Sequence, residues 1–194
     1  NPSPMAGVVG YFPERLDVDA ATGLLQIATT AGIQYEANNS LDNALGVGLN
    51  VPSQAVRMQT TLVDLPTAVG GFSQAGLWFG QADNGGAGSS EDDYIKLVVI
   101  SESAGQYDIQ ALMEQNGQQV SSELAAIAVG AAATVDLELF VDPGTETVTA
   151  SYSVDGGPLQ TLTSFTNVPS EWFSFDQAGI NPQIATRSFG GVFA

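Results

Sequence analysis

The stretch TVDLELFVDPGTETVTASYSV, residues 134–154, alternates between apolar and polar side chains on both sides of a turn signal. Successive side chains of a β-strand point to opposite faces, so each half of the stretch predicts a strand with one apolar and one polar face. Between the halves, Pro143 presets φ and Gly144 tolerates positive φ, which favours a tight turn beside the turn-forming Asp142. The stretch therefore predicts an antiparallel hairpin whose apolar face is turned toward a core.

The same alternation returns in four earlier segments, at residues 55–65, 74–80, 92–100 and 105–117. Many short strands joined by turns favour an all-β fold, a two-sheet antiparallel β-sandwich with at most one short helix. The alanine-rich segment Ser121–Ala133 fits either that helix or a further short strand. The residues expected in the core are Leu77, Phe79, Ile95, Leu97, Val99, Leu137, Leu139 and Tyr152.

The length of 194 residues suits one domain that spans residues 1–194. No stretch reaches the roughly 18 apolar residues of a membrane span, so no membrane insertion is expected. The chain begins NPSP, without a methionine or an apolar signal core. We therefore expect a module of a larger multidomain protein, or a mature secreted fragment, with neighbouring domains of the same long chain among its partners.

The composition excludes several kinds of chemistry. The chain has no cysteine and no histidine, which removes zinc–thiolate sites, disulfides, cysteine nucleophiles and serine–histidine pairs. It has 21 acidic and 4 basic residues, a formal net charge of −17. Four bases cannot neutralise a phosphate backbone, so nucleic acid is not an expected partner. Such acidity fits an extracellular or cell-surface location, as a plain soluble surface or as one screened by salt or divalent cations.

Four motifs together resemble a known group of proteins. They are LDNALGVGLNVPSQAVRMQTTL (residues 41–62), AGLWFG (75–80), DDYIKLVV (92–99) and VDLELFVDPGTETVTASYSVDGG (135–157). Their order resembles concanavalin A-like sandwich modules, above all the C-terminal accessory domains of bacterial xylosidases and arabinosidases and modules of large secreted bacterial surface proteins. The resemblance implies a jelly roll with a concave sheet face, where carbohydrate commonly binds at the face or at its rim loops.

An enzymatic role is not expected. Glycosidases of the group that the chain resembles carry the motif Glu-x-Asp-x-x-Glu on one strand, which turns two carboxylates to one face as nucleophile and acid. In this chain Asp136 and Glu138 share a strand face, but the second glutamate of the motif is missing. Glycoside hydrolysis therefore remains only the disfavoured alternative.

Seven side chains are the candidate ligand-binding residues, because each occupies a strand position opposite the expected core, on adjacent or near-adjacent strands that are expected to form one sheet face. They are Arg57, Gln59, Trp78, Tyr94, Lys96, Asp108 and Gln110. Sugars bind where an aromatic ring stacks on their C–H faces and amide or charged groups hold the hydroxyls. The alternative is structural: Trp78 packs under a loop, while Lys96 and Arg57 bridge neighbouring strands. A binding module is expected to expose Trp78 or Trp172.

The segment ADNGGAGSSEDD, residues 82–93, is too long for a tight hairpin and is rich in oxygen donors. Carboxylate, amide and backbone oxygens are the ligands that Ca²⁺ prefers, although the regular donor spacing of a helix-loop-helix calcium site is absent. The alternative is a solvated acidic loop. The candidate metal ligands are Asp83, Asn84, Glu91, Asp92 and Asp93, and Ca²⁺ is the one candidate cofactor.

These observations predict a non-catalytic carbohydrate-binding module of a secreted or cell-surface bacterial protein, an adhesin or a polysaccharide-associated protein. The expected partner is a polysaccharide or a cell-surface glycan. A structural spacer, or a calcium-stabilised adhesin module without its own glycan ligand, is the alternative from a different class, because the fold alone does not fix the function.

Overall fold

The structure is a computed structural model, and it describes residues 16–27, 34–36, 38–39, 45–48, 54–63, 65, 71–82, 93–130, 133–173 and 187–193. These residues form fourteen strands and one 3₁₀ turn, Ser170–Phe173. The strands are β1 Leu16–Asp19, β2 Leu24–Ile27, β3 Gln34–Tyr35, β4 Asn38–Asn39, β5 Leu45–Gly48, β6 Val56–Leu62, β7 Ser73–Ala82, β8 Tyr94–Ser101, β9 Tyr107–Gln115, β10 Gln118–Ile127, β11 Val135–Asp142, β12 Thr147–Val154, β13 Gln160–Thr166 and β14 Arg187–Phe193.

Two large antiparallel sheets dominate the fold. One has six strands in the order β10-β9-β8-β7-β14-β5, and the other has four in the order β13-β12-β11-β6. Two small hairpins, β1-β2 and β3-β4, complete the described strands. The expected two-sheet antiparallel β-sandwich is confirmed, and the 3₁₀ turn is the only helical element in the part of the chain that the structure describes.

The core lies between the inner faces of the two sheets. All eight residues expected there from the sequence belong to the buried apolar cluster. The 3₁₀ turn adds Trp172 and Phe173, and the ring of Phe173 stacks on that of Phe79 with their centroids 5.9 Å apart. The period-two pattern therefore identified the inner face of each strand correctly.

The middle strands of the six-stranded sheet, β8 and β9, are also largely buried on their outer face. Along β8 every residue is buried, including Tyr94, Lys96, Val98 and Ile100, which point away from the core between the sheets. On β9 the outward residues Leu112 and Glu114 are buried as well. The middle of this sheet is thus covered on both sides, as in a three-layer arrangement.

The structure decides the conformation of one segment that the sequence left open, and it differs from the sequence-based expectation in one turn. The segment Ser121–Ala133 forms strand as far as Ile127, because β10 pairs with β9 in a continuous antiparallel register from Ser121 to Ile127. In the turn after β11, the positive φ of 52° falls on Glu146 and not on Gly144, because the connection has four residues instead of two. The turn-forming role of Asp142 is confirmed, since its carboxylate accepts the Gly144 N–H at 2.9 Å.

Candidate functional site

The seven candidate binding residues do not form one surface. Arg57 and Gln59 lie on β6 in the four-stranded sheet, whereas the other five lie on β7, β8 and β9 in the six-stranded sheet. The expectation of a single face is therefore wrong. Alternation shows that these residues point outward, but β6 pairs with β11 and not with β7, so the two groups lie on opposite sides of the sandwich.

The expectation of an exposed tryptophan is also wrong. Trp78 is only 5% exposed and Trp172 only 1% exposed. Trp78 does point away from the core between the sheets, as its strand position predicts, but the outer face of the six-stranded sheet is itself covered. Neither indole is a solvent-facing platform in this structure.

Beside Trp78 on this covered face lies a group of buried polar residues. Trp78 is the cross-strand neighbour of Lys96 in β8, and Tyr94 is the neighbour of Glu114 in β9. The Tyr94 side chain hydrogen-bonds to the Glu114 carboxylate, and the Glu36 N–H donates to both Glu114 oxygens at 3.0 and 2.9 Å. Glu114 therefore ties the short β3-β4 hairpin to the six-stranded sheet.

Burial controls the ionisation of this polar group. It lowers the pKa of Lys96 from 10.5 to about 8, although the nearby Glu114 carboxylate opposes the shift. Burial also raises the pKa of Glu114, against the effect of its hydrogen bonds and of Lys96. The group of Tyr94, Lys96 and Glu114 therefore has a structural role in joining the β3-β4 hairpin to the sheet. It does not form an open sugar-binding surface, because a ligand would first have to displace the residues that cover it.

The remaining candidates on this sheet are Asp108 and Gln110, both on β9. Gln110 is buried beside Val98, and Asp108 is half-buried opposite Ile100. Both point outward as expected, but they share the covered side of the molecule with Trp78 and Lys96.

The outward side chains of the four-stranded sheet form the second candidate surface, here called the polar face. Three rows cross its strands, in the order β6, β11, β12 and β13. The rows are Arg57, Phe140, Thr149 and Ser164; Gln59, Glu138, Ser151 and Thr161; and Thr61, Asp136 and Ser153.

Carboxylates organise the polar face. Glu138, which is 5% exposed, accepts a hydrogen bond from the Gln59 amide at 2.5 Å and pairs with the Arg57 guanidinium at 3.4 Å. Asp136 accepts hydrogen bonds from the hydroxyls of Thr61 at 2.6 Å and Ser153 at 2.9 Å. Each carboxylate therefore holds its neighbours in fixed positions on rigid strands.

One aromatic ring lies within the polar face. Phe140 is half-buried, and the guanidinium carbon of Arg57 lies 5.8 Å from the centre of its ring. On the other side of Phe140, the Thr149 and Ser164 hydroxyls hydrogen-bond to each other at 2.7 Å. Of the residues on the polar face, the sequence analysis named only Arg57 and Gln59 as candidate ligand-binding residues. The strand alternation in residues 134–154 could have identified Glu138, Phe140 and Thr149 as well, because it places them on the same side as the polar residues.

The candidate calcium site lies mostly outside the described residues. Asp83, Asn84, Glu91 and Asp92 fall there, and only Asp93 is described. Its carboxylate accepts the Asn116 N–H at 2.7 Å, which ties the start of β8 to the β9-β10 turn. Among the described residues, no group of three or more acidic side chains is placed to hold a metal ion. The calcium prediction stays a prediction.

No helix in the described part of the chain has both the length and the apolar character needed to cross a bilayer.

Comparison with known proteins shows similarity at the level of structure. No protein-family model matches the chain, and no curated protein sequence matches it significantly. A xylan β-1,4-xylosidase from Bacillus halodurans is similar over 94% of this chain, with a TM-score of 0.63 and 14% identity. The Bacteroides ovatus protein named xyloglucan PUL GH43B is similar over 93% of this chain, with a TM-score of 0.61 and 12% identity.

A functionally unknown protein from Saccharomyces cerevisiae is similar over 88% of this chain and 78% of its own length, with a TM-score of 0.57 and 12% identity. The chain spans only 30% of the Bacteroides protein and 31% of the xylosidase. At these identities the likeness concerns the fold alone. The chain therefore has the concanavalin A-like jelly-roll fold that its sequence motifs resemble.

Proposed function

We propose that this domain is a non-catalytic carbohydrate-binding module of a secreted or cell-surface bacterial protein, and that the polar face of the four-stranded sheet is its binding surface. The observation that carries the proposal is the half-buried Phe140 ring between the Arg57 guanidinium and the Thr149–Ser164 hydroxyl pair. An aromatic ring flanked by fixed hydrogen-bonding groups is the arrangement that binds the C–H face and hydroxyls of a sugar.

The state of the two carboxylates supports binding without catalysis. Asp136 is engaged by two hydroxyls, and Glu138 by an amide and a guanidinium. A retaining or inverting glycosidase needs one carboxyl group as a proton donor and the other as a nucleophile or base. Carboxylates that already accept three hydrogen bonds and form one ion pair are arranged to position those neighbours.

Charge favours a neutral glycan. The whole chain has four bases against 21 acids, and the Arg57 guanidinium on this face is neutralised by Glu138. Asp136 lies two residues from Glu138 on the same strand face and adds a further negative charge. A polyuronate or sulfated glycan would meet repulsion here, whereas an uncharged chain would not.

The first ligands to test are xylan and xyloglucan oligosaccharides, because two structural neighbours carry these sugars in their names. Titration calorimetry should show weak binding by the wild-type domain, and Gln59→Ala and Phe140→Ser should each weaken it by about tenfold or more. Gln118→Ala is the matched control, since Gln118 begins β10 of the other sheet and its amide donates to the carbonyl of the adjacent Gly117.

A further pair of variants tests whether the polar face discriminates against negatively charged glycans. Glu138→Gln removes the acidic partner of Arg57 and should improve binding of a uronate-containing oligosaccharide. Asp136→Asn makes the same change in net charge without freeing Arg57, and it should improve that binding less. Release of reducing sugar from the test oligosaccharides would instead support the hydrolase alternative. A broad glycan screen without any binding, together with no partner on a cell surface, would favour the spacer.

A further inference from the structure

Phe72 has a backbone conformation and an environment that are both unusual for phenylalanine. Its φ is +67°, and the preceding Gly71 has a φ of +70°. The Phe72 side chain is 62% exposed. It lies in the turn that leads into β7, immediately before Ser73.

Folding stability does not favour phenylalanine at this position. Two successive residues with positive φ form the kind of turn that favours glycine, asparagine or aspartate, because a Cβ atom crowds the backbone there. A bulky side chain accepts this conformation only at a cost, and at 62% exposure Phe72 recovers little of that cost by burial. Strain of this kind is characteristic of positions that serve a function.

The turn holds the ring in a defined place. The Phe72 N–H donates to the Ser101 carbonyl at 3.0 Å, which joins the turn to the end of β8. The Gln74 amide donates to the Phe72 carbonyl at 3.4 Å. The aromatic side chain therefore projects from a fixed backbone, which lowers the entropy lost when a ligand binds.

The neighbouring loop is small and polar. Because Ser73 pairs with Ser101, and Ile100 with Asp108, the loop between β8 and β9 lies at the same end of the sheet as Phe72. Its residues 102–106, Glu-Ser-Ala-Gly-Gln, are exposed. The Ser103 carbonyl accepts the Gln106 N–H at 3.1 Å, which orders the loop.

These surroundings identify the class of ligand. A stable protein interface needs roughly 800 Å² on each partner with an apolar centre, and a single ring bordered by small polar residues does not provide it. One exposed ring matches the size of one sugar ring, and serine and glutamine side chains match its hydroxyls. The acidic Glu102, which follows Ser101 in the chain, disfavours an anionic ligand at this end of the sheet.

We propose that Phe72 is the stacking platform of a second sugar-binding site, formed with the loop of residues 102–106 at the end of the six-stranded sheet. The site is separate from the polar face, and it rests on the proposed function for the class of its ligand. The strain at Phe72 is retained because the exposed ring serves binding.

The test exchanges Phe72 for a residue that the turn favours. Phe72→Asn should raise the melting temperature, because asparagine accepts positive φ. It should also weaken oligosaccharide binding at the second site by about tenfold or more, so that titration calorimetry detects one binding site fewer than in the wild-type domain. Phe72→Tyr keeps the ring and should retain the affinity. A gain in stability combined with a loss of binding is a result that a packing role cannot produce.

Each other outcome is decisive. A lower melting temperature for Phe72→Asn shows that the ring packs and overturns the second site, whatever the ligand. An unchanged number of glycan-binding sites with unchanged affinities overturns it as well, including the case in which the ring serves a protein contact. If Phe72→Asn loses binding but Phe140→Ser does not, the second site stands and the polar face is the part of the proposed function that fails. A wild-type domain that binds no glycan rejects both.

Discussion

Replacement of Trp78 by alanine separates a packing role from a sugar-binding role. A tryptophan side chain buries about 150–250 Å², and Trp78 is only 5% exposed. At about 25 cal/mol per Å², this burial corresponds to about 4–6 kcal/mol of transfer free energy. Since the site relaxes in part, we expect Trp78→Ala to lower the free energy of unfolding by about 3–5 kcal/mol.

Urea denaturation followed by circular dichroism measures this loss. The domain keeps Trp172 as an independent fluorescence probe, so coincidence of the two transitions tests whether unfolding is two-state. The matched control is Phe72→Ala, an aromatic deletion at a side chain that is 62% exposed. We expect that variant to change stability by less than about 0.5 kcal/mol.

A loss below about 1 kcal/mol for Trp78→Ala, with an unchanged urea slope, would refute the reasoning. It would mean that the outer face of the six-stranded sheet opens readily in solution. Trp78 would then be available to a ligand, and its candidacy as a sugar platform would return.

The remaining predictions concern pH and calcium. Between about pH 8 and 10.5 the unfolded chain binds more protons than the folded one at Lys96, so this residue should make stability rise with pH across that window. Lys96→Met should abolish its share of the rise, and parallel pH profiles for the two proteins would contradict the burial of a charged ammonium group. If the loop of residues 82–93 binds Ca²⁺, free calcium at a hundredfold excess over the dissociation constant should stabilise the domain by about 2.7 kcal/mol. Identical melts in chelator and in millimolar calcium, with no heat of titration, would remove the metal.

Local alternation was sufficient to predict the strand positions of the core. In residues 134–154 the apolar strand residues other than Phe140 face inward, and Leu77, Phe79 and Tyr152 lie in the buried cluster as expected. The rule is reliable here because a strand has only two faces and the apolar one must leave water.

The same rule could not predict which outward residues share a surface. Arg57 and Trp78 both point outward, and alternation does not show that their strands belong to different sheets. Nor does it show that the outer face around Trp78 is covered, because the cover comes from tertiary structure and leaves no periodic signal in β7. One local feature of the sequence did indicate the cover. Strand β8 is apolar at almost every position around Lys96, and such a composition is typical of a strand in a sheet covered on both faces.

Strand β8, whose residues are all buried, has a practical consequence for finding the ligand. Its amide protons should exchange with deuterium only when the whole sandwich unfolds, whereas amides near the exposed β10 should exchange through smaller openings. A ligand that binds only the folded state slows whole-molecule opening wherever it binds. Deuterium uptake along β8 would thus serve as a label-free detector for unknown glycans, and the protected positions elsewhere would show where each one binds.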